Sequence, residues 1–349
     1  MRAPPARRRT TRSTRTPVVE AFGLSIASDY PFRFNHARGQ RHPDLTFEVV
    51  DAPPLPDGWE ATPPSFDAYD PATPSDMLGT VLFVDACVVV RFLDAADFFL
   101  FNDRIACVLH DPTLEHGIEI WLFGTVLTLW LELRGIPTLH AATVVVHGHA
   151  IGFLATNKGG KSTLAMTMVL GGANLLADDQ LPIERGNGRL LGRAGYPQMR
   201  FWPDQAERLL GTTDGLERVQ PGSTKLRLPV GSGGFGVFER RAVPVGALYL
   251  PERAASDRVE IVHTPFAEAL TELVRHSFLA GVLDALGLAP KRFHVFADVL
   301  RQAPLRRLRY PSGLEHLGAV RDAILADLAD LADLVDLEAP AAEPLRRGP

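Results

Sequence analysis

The segment 155–163, ATNKGGKST, has the residue types and spacing of a loop that binds the phosphates of a nucleotide. In such a loop, backbone N–H groups point at phosphate oxygens, a lysine reaches the terminal phosphates, and the next hydroxyl binds Mg²⁺. Gly160, Lys161 and Ser162 form the second half of the pattern G-x-x-x-x-G-K-[ST]. Ala155 replaces its first glycine, which the loop can accommodate if φ there stays below zero. The candidate nucleotide-binding residues are Ala155, Thr156, Asn157, Lys158, Gly159, Gly160, Lys161, Ser162 and Thr163.

Two adjacent acids, Asp178 and Asp179, end a short apolar run and could supply the remaining groups for phosphoryl transfer. One carboxylate can accept the proton of an attacking hydroxyl while the other holds Mg²⁺. The alternative is that the pair caps a turn, because Asp favours turns. Asp178 follows Lys161 by 17 residues, enough for one helix, a turn and a short strand. This spacing, and the lack of an LSGGQ-like segment, exclude a transporter-type ATPase.

The phosphate-binding loop needs a buried strand before it and a helix after it. Residues 150–154, AIGFL, predict that strand, and 142–146 can pair with it across a turn at 147–148. Residues 161–170 are good helix formers and precede Gly171-Gly172, so they predict a helix that ends at 170. Strand, loop and helix therefore follow one another in the required order.

Further elements are predicted beyond the acidic pair. Residues 181–184 and 189–191 flank Asn187-Gly188, which favours a hairpin with a two-residue turn. The segments 266–288 and 314–337 predict amphipathic helices. Leucines repeat at helical spacing in the second of these, which favours a docking or dimer face, so a homo-oligomer is one expected assembly.

Several segments together resemble a known family. His140 followed by two alanines, the run GGKST, and the run LLADDQLPI are similar to the catalytic domain of HPr serine kinase/phosphorylase, and more closely to its relatives in bacterial gene clusters. The resemblance extends over residues 134–325. The segments 23–32, 196–204 and 305–313 are similar to family segments as well.

The resemblance implies a fold and a set of roles. The fold would be α/β, with a P-loop nucleotide-binding domain of the HPr kinase/phosphoenolpyruvate carboxykinase type and a small N-terminal β-rich domain. Lys161 would clamp phosphate, and Ser162 and Asp179 would bind Mg²⁺. Asp178 would be the base that deprotonates the acceptor hydroxyl, and His140 would lie near the reacting phosphate.

The expected function is ATP- and Mg²⁺-dependent transfer of a phosphoryl group to a hydroxyl. The resemblance implies a serine of a peptide or protein as the acceptor, including the precursors of lasso peptides. Two alternatives stay open at this point. One is a small-molecule kinase of the same fold, and the other is a non-catalytic regulator that binds ATP without transferring phosphate.

Cationic and aromatic residues after the hairpin are further candidates. Arg200 could neutralise charge on the transferring phosphate, as a catalytic residue, and Trp202 could line the pocket. The alternative is that Trp202 fills the core and Arg200 forms a surface pair. Lys225 and Arg227 lie in the glycine-rich segment 211–236, which we expect to be mobile and to border the acceptor site. Such a pair would favour an acidic or carboxylate-bearing acceptor.

Composition limits the remaining classes. The chain has 349 residues and a net charge of −5, which gives no general attraction to nucleic acid or to an anionic membrane. Cys87 and Cys107 lie in apolar runs and are expected to be buried fillers, so a reducing, cytoplasmic location is the default. The most apolar run, 120–131, is shorter than the ~18–20 residues of a bilayer helix and predicts a buried helix between two domains.

The chain is expected to divide into four segments. Residues 1–17 form a basic arm, 18–133 an N-terminal domain, 134–326 the nucleotide-binding domain, and 327–349 the end of a helix with a disordered tail. Within the N-terminal domain, the proline-rich stretch 52–74 predicts a surface loop.

Overall fold

The computed structural model describes most of the chain and combines α-helices with three β-sheets. The basic arm, apart from residues 16 and 17, and the predicted disordered tail lie outside the described residues. Asn157 of the predicted loop lies outside them too. The described residues are 16–34, 42–67, 79–156, 158–221, 223–231 and 234–338.

In the described chain, the first eight strands form one sheet, and the ninth, which also precedes residue 140, belongs to another sheet. They are β1 (Val18–Ala21), β2 (Leu24–Ser28), β3 (Leu45–Val49), β4 (Phe66–Asp67), β5 (Thr80–Val84), β6 (Cys87–Phe92), β7 (Ala96–Leu100), β8 (Arg104–Leu109) and β9 (Thr138–Leu139).

The later strands form a ten-stranded sheet together with β9, and a separate three-stranded sheet. They are β10 (Ala141–Val146), β11 (His149–Leu154), β12 (Asn174–Ala177), β13 (Leu181–Gly186), β14 (Arg189–Gly192), β15 (Gln198–Phe201), β16 (Glu217–Arg218), β17 (Leu226–Pro229), β18 (Val237–Phe238), β19 (Val243–Arg253), β20 (Glu260–His263) and β21 (Leu305–Tyr310).

The helices lie mostly in the second half of the chain. They are α1 (Ile118–Trp121), α2 (Leu127–Glu132), α3 (Lys161–Leu170), α4 (Pro203–Leu210), α5 (Phe266–Arg275), α6 (Ala280–Ala285), α7 (Ala289–Gln302) and α8 (Leu317–Glu338). A π-helical turn at Leu122–Val126 joins α1 to α2, and short 3₁₀ turns occur at Trp59–Ala61, Pro112–Gly117 and Leu314–His316. No helix in the described part of the chain is long and apolar enough to cross a bilayer.

The eight-stranded sheet is built largely from antiparallel hairpins. Its strand order is β1-β2-β3-β8-β7-β6-β5-β4, and β5/β6 and β7/β8 are antiparallel pairs of strands that are neighbours in the chain. Phe47, Phe92 and Phe98 are fully buried on one face. On the other face Trp59 packs edge-on against Phe99, with 5.3 Å between ring centroids. The prediction of a surface loop at 52–74 is therefore wrong at Trp59, whose indole ring has an apolar partner far along the chain.

The ten-stranded sheet brings several strand ends to one edge. Strand β10 runs antiparallel to β11 and to β12, whereas β19 runs parallel to β11 and to β21. The carboxyl ends of β11, β12, β19 and β21 therefore lie at the same edge as the start of β10. Ligands of open α/β sheets bind outside the carboxyl ends of the strands.

Local sequence signals correctly located the elements around this edge. The hairpin β10/β11 and the helix α3 occur where they were predicted. The hairpin β13/β14 turns at Asn187 and Gly188, whose φ values of 51° and 75° are those of the two-residue turn that Asn-Gly favours.

The single helix predicted for 266–288 is wrong, and the segment 211–236 contains regular strands. The segment 266–288 is two helices rather than one, because Leu279 adopts a left-handed φ of 56° and the intervening Ser277 bridges to Leu139 of β9. The segment 211–236, expected to be mobile, contains β16 and β17, which form the three-stranded sheet with β15. Within that segment, Gly222, Ser232 and Gly233 lie outside the described residues.

The helical segment 118–132 is buried, as predicted for 120–131, and contacts both large sheets. Its apolar side chains share a core with Phe92 and Phe98 of the eight-stranded sheet. At its end, the Glu132 carboxylate accepts the Thr138 N–H at 2.8 Å and lies 3.2 Å from the Arg292 guanidinium of α7. Burial raises the pKa of Glu132 to about 7, although Arg292 and the Thr138 N–H both act to lower it.

The raised pKa predicts a pH dependence of stability. Because the folded pKa of about 7 lies above the ordinary value of 4.5, the folded state holds this proton more tightly than the unfolded state. The stabilisation is complete below pH 4.5 and is lost as pH rises to about 7, with a span on the order of 3 kcal/mol. In Glu132→Gln, the free energy of unfolding measured by urea titration should vary much less with pH between 4.5 and 7 than it does in the wild type. The exposed Glu207→Gln is the control, and equal slopes for wild type and Glu132→Gln would refute the assignment.

Candidate functional site

The predicted phosphate-binding loop connects the carboxyl end of β11 to the start of α3. Lys158 and Gly160 adopt left-handed φ values of 65° and 91°. A Cβ on Gly159 would lie 2.5 Å from the Ala155 Cβ, so the turn needs glycine there. Ala155 is not among the positive-φ residues of the described chain, which meets the condition for replacing the first glycine of the pattern.

Lys161, the first residue of α3, turns its ammonium group back toward the loop. Its Nζ donates to the carbonyl oxygens of Ala155 at 2.7 Å and Thr156 at 3.3 Å. Burial lowers the pKa of Lys161, and the nearby Lys225 acts in the same direction, while Asp179 and Asp178 act to raise it. A buried cation at this position is suited to an anionic ligand.

His140 lies just before β10 and bridges the loop to the acidic pair. Its Nδ1 is 3.0 Å from the carbonyl oxygen of Asp179, and its Nε2 is 3.0 Å from the Lys161 Nζ. A carbonyl oxygen can only accept and an ammonium can only donate, so both contacts are satisfied by a neutral imidazole protonated on Nδ1. The structure thus places His140 in contact with the lysine, and its position beside a reacting phosphate stays a prediction.

Asp178 follows β12 and is held by two donors. Its Oδ1 accepts the Ser162 hydroxyl at 2.9 Å, and its Oδ2 accepts the Arg200 N–H at 3.0 Å. Burial first, and then the charge of Asp179, raise the pKa of Asp178 to about 7, and the two hydrogen bonds act against that rise. A carboxyl with such a pKa is suited to exchange a proton near neutral pH.

Asp179 and Ser162 were predicted to hold a metal. Asp179 has a left-handed φ of 70°, which turns the chain after β12. Ser162 hydrogen-bonds to Asp178. The described residues contain no cluster of three or more His, Cys, Asp or Glu side chains that could hold an ion alone. Hydroxyl and carboxylate oxygens nevertheless fit Mg²⁺, which commonly takes one or two carboxylates and completes its shell with phosphates and water.

Arg200 is placed beside the acids by its backbone N–H, and its guanidinium hydrogen-bonds to Tyr196 instead of to either carboxylate. Its Nη2 donates to the Tyr196 hydroxyl at 2.7 Å, and its Nε has no hydrogen-bond partner among the described residues. Charges on Asp178 and Asp179 still act on it. The guanidinium therefore lies near the site without forming an ion pair to either carboxylate in the described structure.

The predicted cationic pair, Lys225 just before β17 and Arg227 within it, separates into two different environments. Arg227 is buried and ion-paired with Glu119, so it does not face an acceptor, contrary to expectation. Lys225 lies with its Nζ 5.2 Å from the centre of the Trp202 ring, and the Lys158 Nζ is 5.6 Å from the same ring. Two lysine ammonium groups thus lie close to the Trp202 ring. Trp202 is therefore neither a core filler nor an isolated surface residue.

Residues that the sequence did not indicate also border the site. His276 lies in the break between α5 and α6, and its carbonyl accepts the His140 N–H at 2.7 Å. Burial, with Lys161 and His140 nearby, lowers its pKa to about 4, which keeps it neutral. Arg253 and Tyr310 end β19 and β21 next to Gly160. Only strand order reveals these neighbours, since they are distant from the loop in the chain.

Comparisons with known proteins add little to this geometry. No family model and no curated protein matches the chain. Among solved structures, the HPr(Ser) kinase/phosphatase from Coxiella burnetii is similar, with 11% identity and a TM-score of 0.31, over 57% of this chain and 94% of that one. Similarity at this level does not establish a function. The function is therefore inferred from the residues of the site.

The electrostatics of the acidic pair can be tested directly. Asp179→Asn should lower the pKa of Asp178, because it removes a like charge, and Asn tolerates the left-handed φ at this position. Ser162→Ala should raise it, because it removes a hydrogen bond to the charged form. Carboxyl ¹³C NMR titrations of the two variants and the wild type would measure both shifts. Shifts of the same sign, or none, would contradict the described contacts.

Proposed function

We propose that the protein is an ATP- and Mg²⁺-dependent kinase that transfers the γ-phosphoryl group of ATP to a hydroxyl. The observation that supports this most strongly is the convergence of three groups at one sheet edge. Lys161 and Ser162 begin α3, and Asp178 follows β12. The Lys161 ammonium donates to the loop carbonyl of Ala155, and the Ser162 hydroxyl donates to the buried carboxyl of Asp178. Phosphoryl transfer needs this combination of phosphate clamp, metal ligand and base.

Each residue has a distinct part in the proposed reaction. The loop N–H groups and Lys161 bind the β- and γ-phosphates. The acceptor hydroxyl attacks the γ-phosphorus, the bond from that phosphorus to the β–γ bridging oxygen breaks, and ADP leaves. Asp178 takes the hydroxyl proton, for which its raised pKa makes it a stronger base than an ordinary carboxylate. Ser162 and Asp179 would hold Mg²⁺, which would neutralise charge on the phosphate oxygens.

The surroundings of Asp178 favour an enzyme over a regulator. Burial and the neighbouring Asp179 raise the pKa of Asp178 to about 7, and carboxyls with pKa values shifted in this way are frequent at catalytic sites. The turn-capping alternative for the two acids does not account for the hydrogen bond from Ser162. The two acids therefore fit a catalytic site better than a simple turn.

We propose a serine of a peptide or protein as the acceptor, with a small hydroxyl compound as the second candidate. Lys158 of the loop and Lys225 lie at the same Trp202 ring, have no ion pair among the described residues, and form a cationic face next to the loop. This face supports an acidic or carboxylate-bearing acceptor. We also propose that the chain divides near residue 134, between the two large sheets.

Nucleotide binding can be tested at the loop lysine. Lys161→Ala should weaken binding of ATP–Mg²⁺ about 10- to 100-fold, because a charged hydrogen bond to phosphate is lost, while the fold is kept. Isothermal titration calorimetry would measure the affinity, and circular dichroism the fold. Lys291→Ala, an exposed lysine of α7, serves as the control. Equal affinities for Lys161→Ala and wild type would rule out this loop as the phosphate site.

Catalysis can be tested at the candidate base. Asp178→Asn should leave ATP affinity within a few fold but reduce phosphoryl transfer by roughly 10²–10⁴-fold, the range for a positioned base. Mass spectrometry of serine peptide libraries, with free and with amidated C-termini, would detect the product. The exposed Asp204→Asn is the matched control.

The same assay distinguishes the alternatives. Transfer to hydroxyl metabolites but not to the peptides would favour the small-molecule kinase. ATP binding by the wild type without transfer to any peptide, protein or metabolite would favour the regulator.

A further inference from the structure

Arg253 and Tyr310 form a compact pair at the edge of the proposed nucleotide site. They are the last residues of the parallel strands β19 and β21 and lie directly opposite each other in the register. The Arg253 guanidinium carbon lies 4.3 Å from the centre of the Tyr310 ring. A Cβ on Gly160 would lie 3.3 Å from the Tyr310 hydroxyl oxygen and 3.5 Å from an Arg253 nitrogen. The pair therefore touches the end of the phosphate-binding loop.

The pair lies on the opposite side of the loop from the acidic residues. In the ten-stranded sheet the order is β12-β10-β11-β19, and β21 follows β19. Strand β12 leads to Asp178, and β11 leads to the loop. At about 4.8 Å per strand, the end of β19 is roughly 14 Å from the end of β12. An ATP with its γ-phosphate at Asp178 would extend across the loop toward β19, so its nucleoside half would lie at Arg253.

The Arg253 guanidinium is held in place but is not neutralised. Its only hydrogen bond in the described structure is to the Pro311 carbonyl at 3.3 Å, and it has no ion pair there. The neighbouring Glu252 pairs with Arg307 and Arg309 instead. One face of the guanidinium is covered by Tyr310, and the side chain is exposed. A planar cation of this kind stacks well on a flat aromatic ring.

Tyr310 gives an independent indication of a ligand. The residue is fully buried, yet its hydroxyl has no hydrogen-bond partner among the described residues. Buried hydroxyls normally have a partner, because leaving one unsatisfied is costly. This hydroxyl lies against Gly160 at the loop, where a bound nucleotide could accept its hydrogen bond.

We propose that Arg253, supported by Tyr310, binds the nucleoside half of ATP by stacking its guanidinium on the purine ring. This inference rests on the proposed nucleotide site. In that site the loop and Lys161 bind the phosphates, and Arg253 would bind the base. Stacking recognises any purine through its ring face, so adenine and guanine nucleotides should both bind. The proposal assigns Arg253 to the purine and not to the polyphosphate chain.

Titration calorimetry with three probes tests the proposal: ATP, AMP and inorganic tripolyphosphate, all with Mg²⁺. Arg253→Ala should weaken the binding of ATP and of AMP by the same factor, about 5- to 30-fold, and leave the affinity for tripolyphosphate unchanged. Arg253→Lys should behave like Arg253→Ala, because lysine keeps the positive charge but lacks the planar guanidinium that stacks on the purine. Arg309→Ala, which removes an exposed arginine of the same strand pair, is the control and should match the wild type.

Two results would overturn the proposal. Recovery of ATP affinity in Arg253→Lys, together with weaker tripolyphosphate binding in Arg253→Ala, would show a phosphate contact instead of stacking. Unchanged ATP and AMP affinity in Arg253→Ala would show no contact. Failure of the nucleotide site itself is distinguishable, because the wild type would then bind none of the three probes, or Lys161→Ala would bind ATP as well as the wild type.

Discussion

The site depends on the anchoring of one buried carboxyl, that of Asp178. Ser162 at the start of α3 and the backbone of Arg200 in β15 both donate to it, so one side chain joins the end of β12 to two other elements. These donors offset part of the cost of burying a carboxylate beside Asp179. The phosphate-binding loop, which leads into α3 at Lys161, is thereby fixed relative to the acids.

A second set of polar contacts orients the buried helical segment 118–132. Glu119 near its start pairs with Arg227 of the three-stranded sheet, and Glu132 at its end pairs with Arg292 of α7. Buried ion pairs often add little net stability, since desolvation offsets the attraction. Here they fix the rotation and depth of a helix that is apolar on almost every face. The pairs are therefore best understood as determinants of orientation.

The same helical segment reaches the acidic pair through its π-helical turn. The turn presents the Gly124 carbonyl, which accepts from the Thr128 hydroxyl at 2.7 Å and from the Gln180 amide at 3.0 Å. The Thr128 hydroxyl also lies 2.8 Å from Gln180 Oε1. Gln180 directly follows Asp179, so a buried hydrogen-bond network links the eight-stranded sheet's helix to the site. π-Helical turns of this kind are frequent at functional sites.

The sequence by itself determined the elements whose signals are local. The loop at 155–160, helix α3, strand β12 and the Asn187-Gly188 turn all follow from residues within a few positions of one another. Tertiary structure alone decided which cationic side chains lie beside the candidate site. Arg227 is 108 residues from its partner Glu119, and Arg253 meets Gly160 only because β19 adds beside β11. Such pairings depend on strand order and register, which hydrophobic periodicity within one segment does not specify.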